Sequence, residues 1–307
     1  MGRRIVRRLG LRRQSPTSPK PREWAIGIYG GDSPLALASL EGARNPTLRW
    51  GDVSDAPSGI IADPFMIKSS GTWYMFFEVM NRPHGSGQIG LAVSDDGVDW
   101  RYQQIVLAEP FHLSYPHVFE WGGDVYMIPE SHQVRSVRLY RASPFPLRWS
   151  LVSSLLDGAV FSDSSIVRFG DKWWLFTETS PDKFDTLQLY YANDLLGPWY
   201  EHPESPIVRA DPRRARPAGR ILVLQDRLVR FAQDCHPVYG SAVRAFEVTE
   251  LTTASYHERE VVDRPVLAGS GSGWNASGMH HIDAHQIESG RWLACVDGWA
   301  WPTARRA

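Results

Sequence analysis

Acidic side chains recur at matching positions in three segments of this sequence. Glu78, Glu130 and Glu178 each close one segment, and Asp63 and Asp163 are the second residues of two of them. Carboxyl groups that gather in one concave site push their pKa values apart, so that one can act as an acid and another as a base. Asp63, Asp163 and Glu178 are therefore the candidate catalytic residues.

Other polar and aromatic residues at or near equivalent positions are candidates for substrate binding. They are Glu78, Tyr115, His117, Glu130, Arg216, Arg220, Asp234, His280, His281 and Asp283. The repeated glutamates also have a structural explanation, because a carboxylate at the end of a strand can accept hydrogen bonds from a neighbouring repeat. Both explanations stay open at the level of the sequence.

His281, Asp283 and His285 stand at every second position of one segment. Side chains with this spacing point to the same face of a strand. Histidine and carboxylate are common metal ligands, so the pattern is compatible with a metal ion near the axis of the fold, with His285 as the candidate ligand. The alternative is that these histidines only satisfy structural hydrogen bonds.

The segments that carry these residues are copies of one unit. ADPFMIKSSGTWYMFFE (62–78), SYPHVFEWGGDVYMIPE (114–130) and SDSSIVRFGDKWWLFTE (162–178) align without a gap. Weaker copies occupy residues 216–234 and 281–297, where Gln233 and Asp297 replace the closing Glu. Each copy contains two apolar strands around a turn, which is the pattern of a β-hairpin.

A second strand pair follows the hairpin, with copies at 89–100, 137–149 and 187–199 that each end on Trp. Four strands that recur about every 50 residues predict an all-β fold, a five-bladed β-propeller. The fifth unit lacks its outer strands, and residues 24–37 resemble them. We therefore predict that the N-terminal segment completes the last blade and closes the ring, which removes exposed strand edges.

Composition and charge exclude several functional classes. The net charge is −1, which gives no overall attraction to nucleic acid. Residues 1–22 hold eight basic and no acidic residues, and they lack the apolar run of a signal peptide or membrane span. We interpret residues 1–23 as a solvated basic tail and 24–307 as the propeller. Peripheral contact of the tail with an anionic membrane is the alternative.

Two cysteines, Cys235 and Cys295, are too few for a disulfide framework and lack the spacing of a metal site. This cysteine content favours a cytoplasmic location, with peripheral membrane association through the tail as the second option. We expect no nucleic-acid partner.

The segment IIADPFMI with GTWYMFFE, which contains Asp63, resembles the first blade of family 43 glycoside hydrolases. In that family the Asp of the first blade is the general base, so the resemblance implies this role for Asp63. An Asp of the third blade tunes pKa values and orients the substrate there, and Asp163 in FSDSSIV matches it.

A closer resemblance is to the propeller at the N-terminus of plant glucosamine inositolphosphorylceramide transferases and their bacterial relatives. It rests on EPFHLSYPHVFEW (109–121), ARPAGR (215–220), AQDC (232–235) and GMHHIDAH (278–285). The resemblance implies a role in glycoconjugate or polysaccharide biosynthesis. In the plant proteins a separate C-terminal domain resembles the glycosyltransferase, so a partner glycosyltransferase is one expectation for this chain.

One position departs from the glycoside hydrolases. Their general acid is a Glu at the start of the fourth inner strand, where this sequence has ARPAGR with Arg216. Arginine is not a proton donor near neutral pH. A hydrolase would need Glu178 or Glu130 as a substitute acid. Arg216 and Arg220 instead suggest an anion such as a phosphate or a uronate, unless Arg216 only pairs with Asp163 or Glu178.

The sequence therefore predicts a carbohydrate-active propeller that binds or transfers an anionic or phosphate-linked sugar. Two alternatives remain. One is a glycoside hydrolase or phosphorylase, which in the inverting case needs two carboxyl groups roughly 6.5–9.5 Å apart. The other is a non-catalytic glycan-binding module that serves a glycosyltransferase.

Overall fold

The computed structural model describes residues 22–81, 83, 85–288 and 290–302. Of the predicted basic tail, residues 1–23, only Arg22 and Glu23 lie among the described residues, and Glu23 already belongs to the first strand. Helical structure in the described part is limited to three single 3-10 turns, at Trp50–Asp52, His132–Val134 and Gly273–Asn275. No helix in these ranges is long and apolar enough to cross a bilayer.

Five antiparallel sheets form the predicted five-bladed β-propeller. The first three strands along the chain are β1 (Glu23–Gly31), β2 (Ala38–Ser39) and β3 (Leu48–Arg49). Blade I consists of β4 (Ser58–Ser69), β5 (Thr72–Asn81), β6 (Ser86–Ser94) and β7 (Arg101–Leu107). Blade II consists of β8 (Ser114–Trp121), β9 (Asp124–Glu130), β10 (Ser136–Ala142) and β11 (Trp149–Asp157).

The remaining blades are less regular at their margins. Blade III consists of β12 (Ser162–Phe169), β13 (Lys172–Glu178), β14 (Leu187–Ala192) and β15 (Tyr200–Glu201). Blade IV consists of β16 (Leu222–Leu224), β17 (Arg227–Asp234), β18 (Ala242–Leu251), β19 (Tyr256–Glu260) and β20 (Leu267–Ala268). Blade V begins with β21 (Ile282–Glu288) and β22 (Arg291–Ala300) and is completed by β1, β2 and β3.

The N-terminal segment closes the ring as predicted. Strand β1 pairs with β22 in antiparallel register from Glu23 opposite Ala300 to Gly31 opposite Trp292. The last blade thus contains strands from both ends of the chain, and the sheet edge that β22 would otherwise expose is covered.

The core is divided into five apolar clusters, each between two adjacent blades. Successive side chains of a strand point to opposite faces of its sheet. Phe76 accordingly packs between blades I and II, while Phe77 packs between blades V and I, and both are fully buried. Burial of one such ring stabilises the fold by about 1.5–3 kcal/mol. Much of the aromatic content of the sequence is therefore explained by blade packing.

The inner hairpins bring the repeated acidic residues to one end of the central channel. Ala62 pairs with Glu78, Ser114 with Glu130 and Ser162 with Glu178. The start of each first strand and the end of each second strand therefore lie side by side. We call this end of the channel the mouth. The opposite end, where the inner hairpins turn at 70–71, 122–123, 170–171 and 225–226, is called the far end.

Candidate functional site

The second residue of the inner hairpin has left-handed backbone in blades I, II and III. Asp63 has φ 55°, Tyr115 has φ 46° and Asp163 has φ 48°. At each of them the pairing of the first two strands is interrupted by a bulge. Bulges re-aim side chains, and Asp tolerates this conformation better than most residues. The fold therefore accepts local strain in three blades at the positions next to the mouth.

Tyr115 has a structural place in this arrangement. Its hydroxyl accepts the backbone N–H of Gly219 and lies 2.8 Å from Oγ of Ser165 and 3.1 Å from the carbonyl oxygen of Gly219. The side chain is fully buried. Tyr115 thus joins blades II, III and IV below the mouth and is not exposed to a ligand there.

The repeated acidic position connects neighbouring blades. Oε2 of Glu130 accepts the backbone N–H of Asp163 at 3.0 Å. Oδ2 of Asp297, which replaces the repeated Glu in blade V, accepts the backbone N–H of Asp63 at 2.9 Å. The structural explanation of the repeated position is therefore correct for Glu130, and these bonds fix the backbone from which Asp63 and Asp163 project.

Arg216 lies among three of the carboxylates. Its Nε donates to Oδ2 of Asp163 at 2.6 Å, and its terminal nitrogens lie 3.5 Å from Oε2 of Glu130 and 4.0 Å from Oε2 of Glu178. Oδ2 of Asp163 also accepts from Nε2 of Gln233 at 2.7 Å. Arg216 therefore pairs with Asp163, which was one of the two explanations that the sequence left open.

His280 lies between two aspartates. Its Nδ1 is 2.7 Å from Oδ1 of Asp297, and its Nε2 is 3.7 Å from Oδ1 of Asp63. The ring of Trp24 covers the imidazole at a centroid distance of 4.2 Å, and Tyr239 meets it edge-on at 5.2 Å. This half of the site is assembled across the seam where the last blade meets the first.

Three aromatic side chains cover the charged groups, and we call them the aromatic rim: Trp24, Phe184 and Tyr239. The sequence did not predict this rim. The guanidinium carbon of Arg216 lies 5.3 Å from the ring centres of both Phe184 and Tyr239, whose own centroids are 5.2 Å apart. Phe184 and Tyr239 stand in loops outside the repeated hairpins and so carry no repeat signal. Trp24 belongs to the predicted closing strand, but only the pairing of that strand reveals its position over His280.

Two further histidines were missed. Nδ1 of His132 lies 2.7 Å from Oε1 of Glu130, and Nε2 of His112 lies 3.7 Å from Oε1 of Glu78. Both stand next to predicted site residues, but neither occupies a repeated position. Asp297, in contrast, could have been found, because it closes the fifth copy of the repeat.

The carboxyl groups of the mouth have widely separated pKa values. Burial raises the pKa of Asp63 to about 6, although the charge of His280 opposes the rise. Burial also raises the pKa of Glu178 to about 7 against the effect of Arg216. For Glu130 the hydrogen bond from His132 and the charge of Arg216 outweigh burial, so its pKa falls to about 2. Such separation is typical of sites that carry out proton transfer.

Several buried polar atoms at the mouth have no hydrogen-bond partner among the described residues. They are Oδ1 of Asp63, Oε2 of Glu178 and both ring nitrogens of His281. Oδ1 of Asp63 lies 3.9 Å from Nδ1 of His281. An unpartnered buried polar atom is costly, so these atoms mark where a ligand or water would be held.

Other predicted site residues lie deeper in the channel or at its far end. Nε of Arg220 donates to Oδ1 of Asp283 at 2.7 Å, and its Nη2 donates to the carbonyl oxygen of Val118 at 2.8 Å. His117 stacks on Phe65 below the mouth at a centroid distance of 4.9 Å. The Arg220–Asp283 pair thus crosses the channel beyond the mouth, and neither residue joins the mouth cluster.

His285 and Asp234 also lie away from that cluster. His285 contacts Trp73 near the far end, and it helps to line a cavity of about 450 Å³ there. Asp234 ends β17, and its carboxylate accepts from Nε of Arg244 at 2.8 Å and from the backbone N–H of His236 at 3.1 Å. His285 is thus placed where contact with a mouth ligand is not expected, and the carboxylate of Asp234 is paired with Arg244.

The geometry does not favour a metal ion. Nε2 of His285 bonds to Oδ2 of Asp283 at 3.0 Å, and this carboxylate is already neutralised by Arg220. At the mouth Asp63, His280 and Asp297 form a second candidate group, but Asp297 raises the pKa of His280 despite its burial, so a proton competes with a metal.

A third candidate group combines His112, Glu130 and His132. Nδ1 of His112 accepts the backbone N–H of Gly87 at 2.8 Å. The neutral ring therefore carries its proton on Nε2, the nitrogen that faces the mouth, and this nitrogen is not available as a ligand. None of the three groups fits a metal ion as it stands.

Comparison with known proteins gives one family. A family model described as "Glucosamine inositolphosphorylceramide transferase 1, N-terminal" matches residues 19–299. Glucosamine inositolphosphorylceramide transferase 1 of Oryza sativa subsp. japonica is 39% identical over 296 residues, which are 90% of this chain and 40% of the relative. The Arabidopsis thaliana protein of the same name is 34% identical, over 90% of this chain and 39% of the relative. The chain thus spans about 40% of the length of these relatives.

Solved structures confirm the propeller architecture. An exo-β-1,3-galactanase from Clostridium thermocellum superposes with a TM-score of 0.58 at 15% identity, over 70% of this chain and 52% of that chain. A family 117 glycoside hydrolase of Zobellia galactanivorans gives a TM-score of 0.53 at 13% identity, over 80% of this chain and 88% of that chain. At these identities the likeness concerns the fold alone.

Proposed function

The chain belongs to the family of the N-terminal domain of glucosamine inositolphosphorylceramide transferase 1, and from this premise we propose that its mouth binds an amino sugar during glycoconjugate assembly. Family membership connects the chain with glycoconjugate biosynthesis. The ligand and the step are the proposal, because the relatives contain more than this one region.

The observation that carries the proposal is the excess of carboxyl groups over fixed cations. Six buried carboxyl groups lie at the mouth, while the cations in contact with them are the Arg216 guanidinium and the His280 imidazole, whose pKa is raised by Asp297 despite burial. The six are Asp63, Glu78, Glu130, Asp163, Glu178 and Asp297. Carboxyl groups accept hydrogen bonds from sugar hydroxyls, and an ammonium group would in addition relieve their mutual repulsion. The relatives are named for glucosamine, which fits such a ligand.

The rim supplies the second element of sugar recognition. Trp24 and Tyr239 lie against His280, and Phe184 and Tyr239 lie against Arg216. Aromatic rings next to polar groups suit the two sides of a sugar, which has apolar C–H faces and polar edges.

The anionic ligand predicted from Arg216 has weaker support. The guanidinium is already bonded to Asp163 and lies close to Glu130 and Glu178. A phosphate or uronate would add negative charge to this cluster. The terminal nitrogens of Arg216 can still donate further hydrogen bonds. An anionic sugar therefore remains an alternative, and the thermal-shift experiment described next tests it as well.

The test is a thermal-shift comparison of glucosamine, glucose, glucuronate and glucose 6-phosphate on the full chain. Stabilisation grows only with the logarithm of ligand concentration over Kd, so doses far above Kd are needed. We expect the largest shift with glucosamine and none with glucose 6-phosphate. Glu178→Gln should reduce the shift, whereas Glu120→Gln at the far end is the matched control. A shift confined to glucose 6-phosphate and lost in Arg216→Lys would establish the anionic sugar instead.

Cleavage or transfer of a glycosidic bond is a second candidate function, and the pKa values favour it. Asp63 has a pKa of about 6 and is therefore ionised, and able to act as a base, above pH 6. Glu178 has a pKa of about 7 and therefore keeps its proton below pH 7. Glu178 would thus supply the acid that Arg216 cannot. Activity should then be greatest between about pH 6 and 7 and fall on both sides, and a pH-independent rate would exclude this pair.

A further inference from the structure

The cavity at the far end of the channel is large enough for a small molecule. Its volume is about 450 Å³, within the range of about 300–1,000 Å³ that is typical of ligand pockets. Side chains of blades I, II and V form its wall, and Arg220 reaches it from the segment before β16. The mouth cluster does not use this space, so the cavity is a candidate for a second binding site.

Arg220 lies at the inner end of the cavity with part of its donor capacity unused. Its Nε donates to Oδ1 of Asp283 at 2.7 Å, and its Nη2 donates to the carbonyl oxygen of Val118 at 2.8 Å. Its Nη1 has no hydrogen-bond partner among the described residues, and the side chain is 18% exposed. A guanidinium has five N–H donors, so Nη1 can still donate to a ligand.

The buried acid next to Arg220 is already occupied. Oδ1 of Asp283 accepts from Arg220, while Oδ2 accepts the backbone N–H of Met66 at 2.7 Å and lies 3.0 Å from Nε2 of His285. Of the described residues that line the cavity, only Glu120 is acidic, and it is exposed, so solvent screens its charge. The unused hydrogen-bonding capacity at the inner end is therefore that of a donor.

Lys68 adds a second cation near the opening. Strand β4 runs from the mouth to the far end, and Lys68 is exposed near the end of this strand. Its Nζ lies 5.5 Å from the ring centre of Trp73 and forms no ion pair with any described residue. The cavity thus combines an unpaired ammonium group with the free edge of a guanidinium, and both attract a carboxylate.

The rest of the wall is largely apolar. Ile67, Trp73 and Phe119 line it and are held in place by the packing of the blades, and Ile287, 43% exposed, stands on the side of blade V. A ligand with an apolar body removes apolar surface from water when it covers these side chains. A small inorganic ion gains nothing from them.

We infer that the far-end cavity binds a small carboxylate that carries an apolar body. The carboxylate lies on Nη1 of Arg220 and Nζ of Lys68, and the body lies against Ile67, Trp73 and Ile287. A phosphate ester fits less well, because a dianion loses more hydration between apolar walls than these two cations return. The site is separate from the mouth and does not depend on which sugar the mouth binds.

The test is a ligand-observed NMR titration of the full chain with 3-phenylpropionate. We expect binding with a Kd on the order of 1 mM, as for a ligand of this size. The neutral 3-phenylpropionamide should bind at least about fivefold more weakly, because it lacks the charge that strengthens hydrogen bonds from the two cations. Acetate, which lacks the apolar body, should also bind more weakly.

Variants locate the site. Lys68→Glu reverses an exposed charge without a change in the core and should weaken binding at least about fivefold. Lys172→Gln, at a lysine of the far end that does not line the cavity, is the matched control. The double variant Arg220→Gln with Asp283→Asn removes both buried charges together, so neither is left unpaired, and should weaken binding at least about tenfold. Circular dichroism verifies that each variant is folded.

Three results would overturn the inference. The first is no binding of 3-phenylpropionate, or equal binding of its amide. The second is the same affinity in Lys68→Glu as in Lys172→Gln. The third is loss of binding in Arg216→Lys with full binding in Lys68→Glu, which would place the carboxylate at the mouth instead.

Discussion

Oδ2 of Asp297 accepts a hydrogen bond from the backbone N–H of Asp63 at 2.9 Å, across the seam between the last and the first blade. The other oxygen of Asp297 lies 2.7 Å from Nδ1 of His280. One buried carboxylate thus closes the ring and at the same time positions an aspartate and a histidine of the mouth.

Replacement of Asp297 should destabilise the protein. Asp297→Ala removes the acceptor of both bonds and leaves a buried imidazole without its anion, at a cost of about 3–5 kcal/mol. Asp297→Asn keeps a carbonyl oxygen and should cost less. Chemical denaturation measures the difference. Asp171→Asn, at a side chain that is 87% exposed, is the control and should change stability by less than about 0.5 kcal/mol. A cost for Asp297→Ala no greater than that of the control would contradict the account.

Replacement of Asp63 or Glu178 should stabilise the protein at high pH, in contrast to replacement of Asp297. Their pKa values in the folded protein, about 6 and about 7, lie above those of the unfolded chain. Protonation of each group therefore favours the folded state at low pH, and this contribution to stability is lost as the pH rises through the folded pKa. Asp63→Asn and Glu178→Gln should therefore stabilise the protein by about 1–2 kcal/mol at pH 8 and by much less at pH 4.5. Thermal unfolding across this range measures it. Destabilisation by both variants at pH 8 would mean that these carboxyl groups are structural.

The pair of Arg216 and Asp163 should show strong coupling. Arg216→Met alone leaves buried carboxylates without their cation and should cost about 3–5 kcal/mol. The double variant with Asp163→Asn should be more stable than the sum of the single effects predicts, by at least about 1 kcal/mol. A double-mutant cycle in urea provides the coupling energy. Simple additivity would show that the 2.6 Å contact does not govern the charge of the site.

The aromatic rim should matter for binding more than for folding. Phe184 is half-buried in a loop and packs on Tyr239 at 5.2 Å. Phe184→Ala should weaken sugar binding by about 2–10-fold, which corresponds to the loss of one aromatic contact, with little change in melting temperature. Fluorescence titration with the sugar measures the effect. Equal affinity of Phe184→Ala and the wild type for the sugar would show that Phe184 is not part of the binding site.

The repeat made most of the fold predictable, because five similar hairpins in succession leave few other architectures and because residues 24–37 matched the missing outer strands. It also placed Asp63, Glu130, Asp163 and Glu178 at one end of the channel. The sequence predicts Arg220 and Asp283 as binding residues of the mouth, because a short motif does not indicate how far along the channel axis its side chains lie. Only the pairing of Arg220 with Asp283 places them further inside.

The rim could not be predicted in the same way. Phe184 and Tyr239 stand in loops whose lengths differ between blades, so alignment of the repeats says nothing about them. His112 and His132 lie outside the hairpins for the same reason. Asp297 carried a signal, as the acidic residue that ends the fifth repeat, but its bond to the first blade depends on closure of the ring.

The most direct test of the central claim is the number of protons exchanged when glucosamine binds. Calorimetric titrations at pH 6.5 in two buffers with different ionisation enthalpies measure this number. An ammonium group next to Asp63 and Glu178 lowers their pKa values, so we predict that protons are released on binding and that fewer are released in Glu178→Gln. Binding of glucose 6-phosphate with proton uptake, together with no heat from glucosamine, would contradict the account.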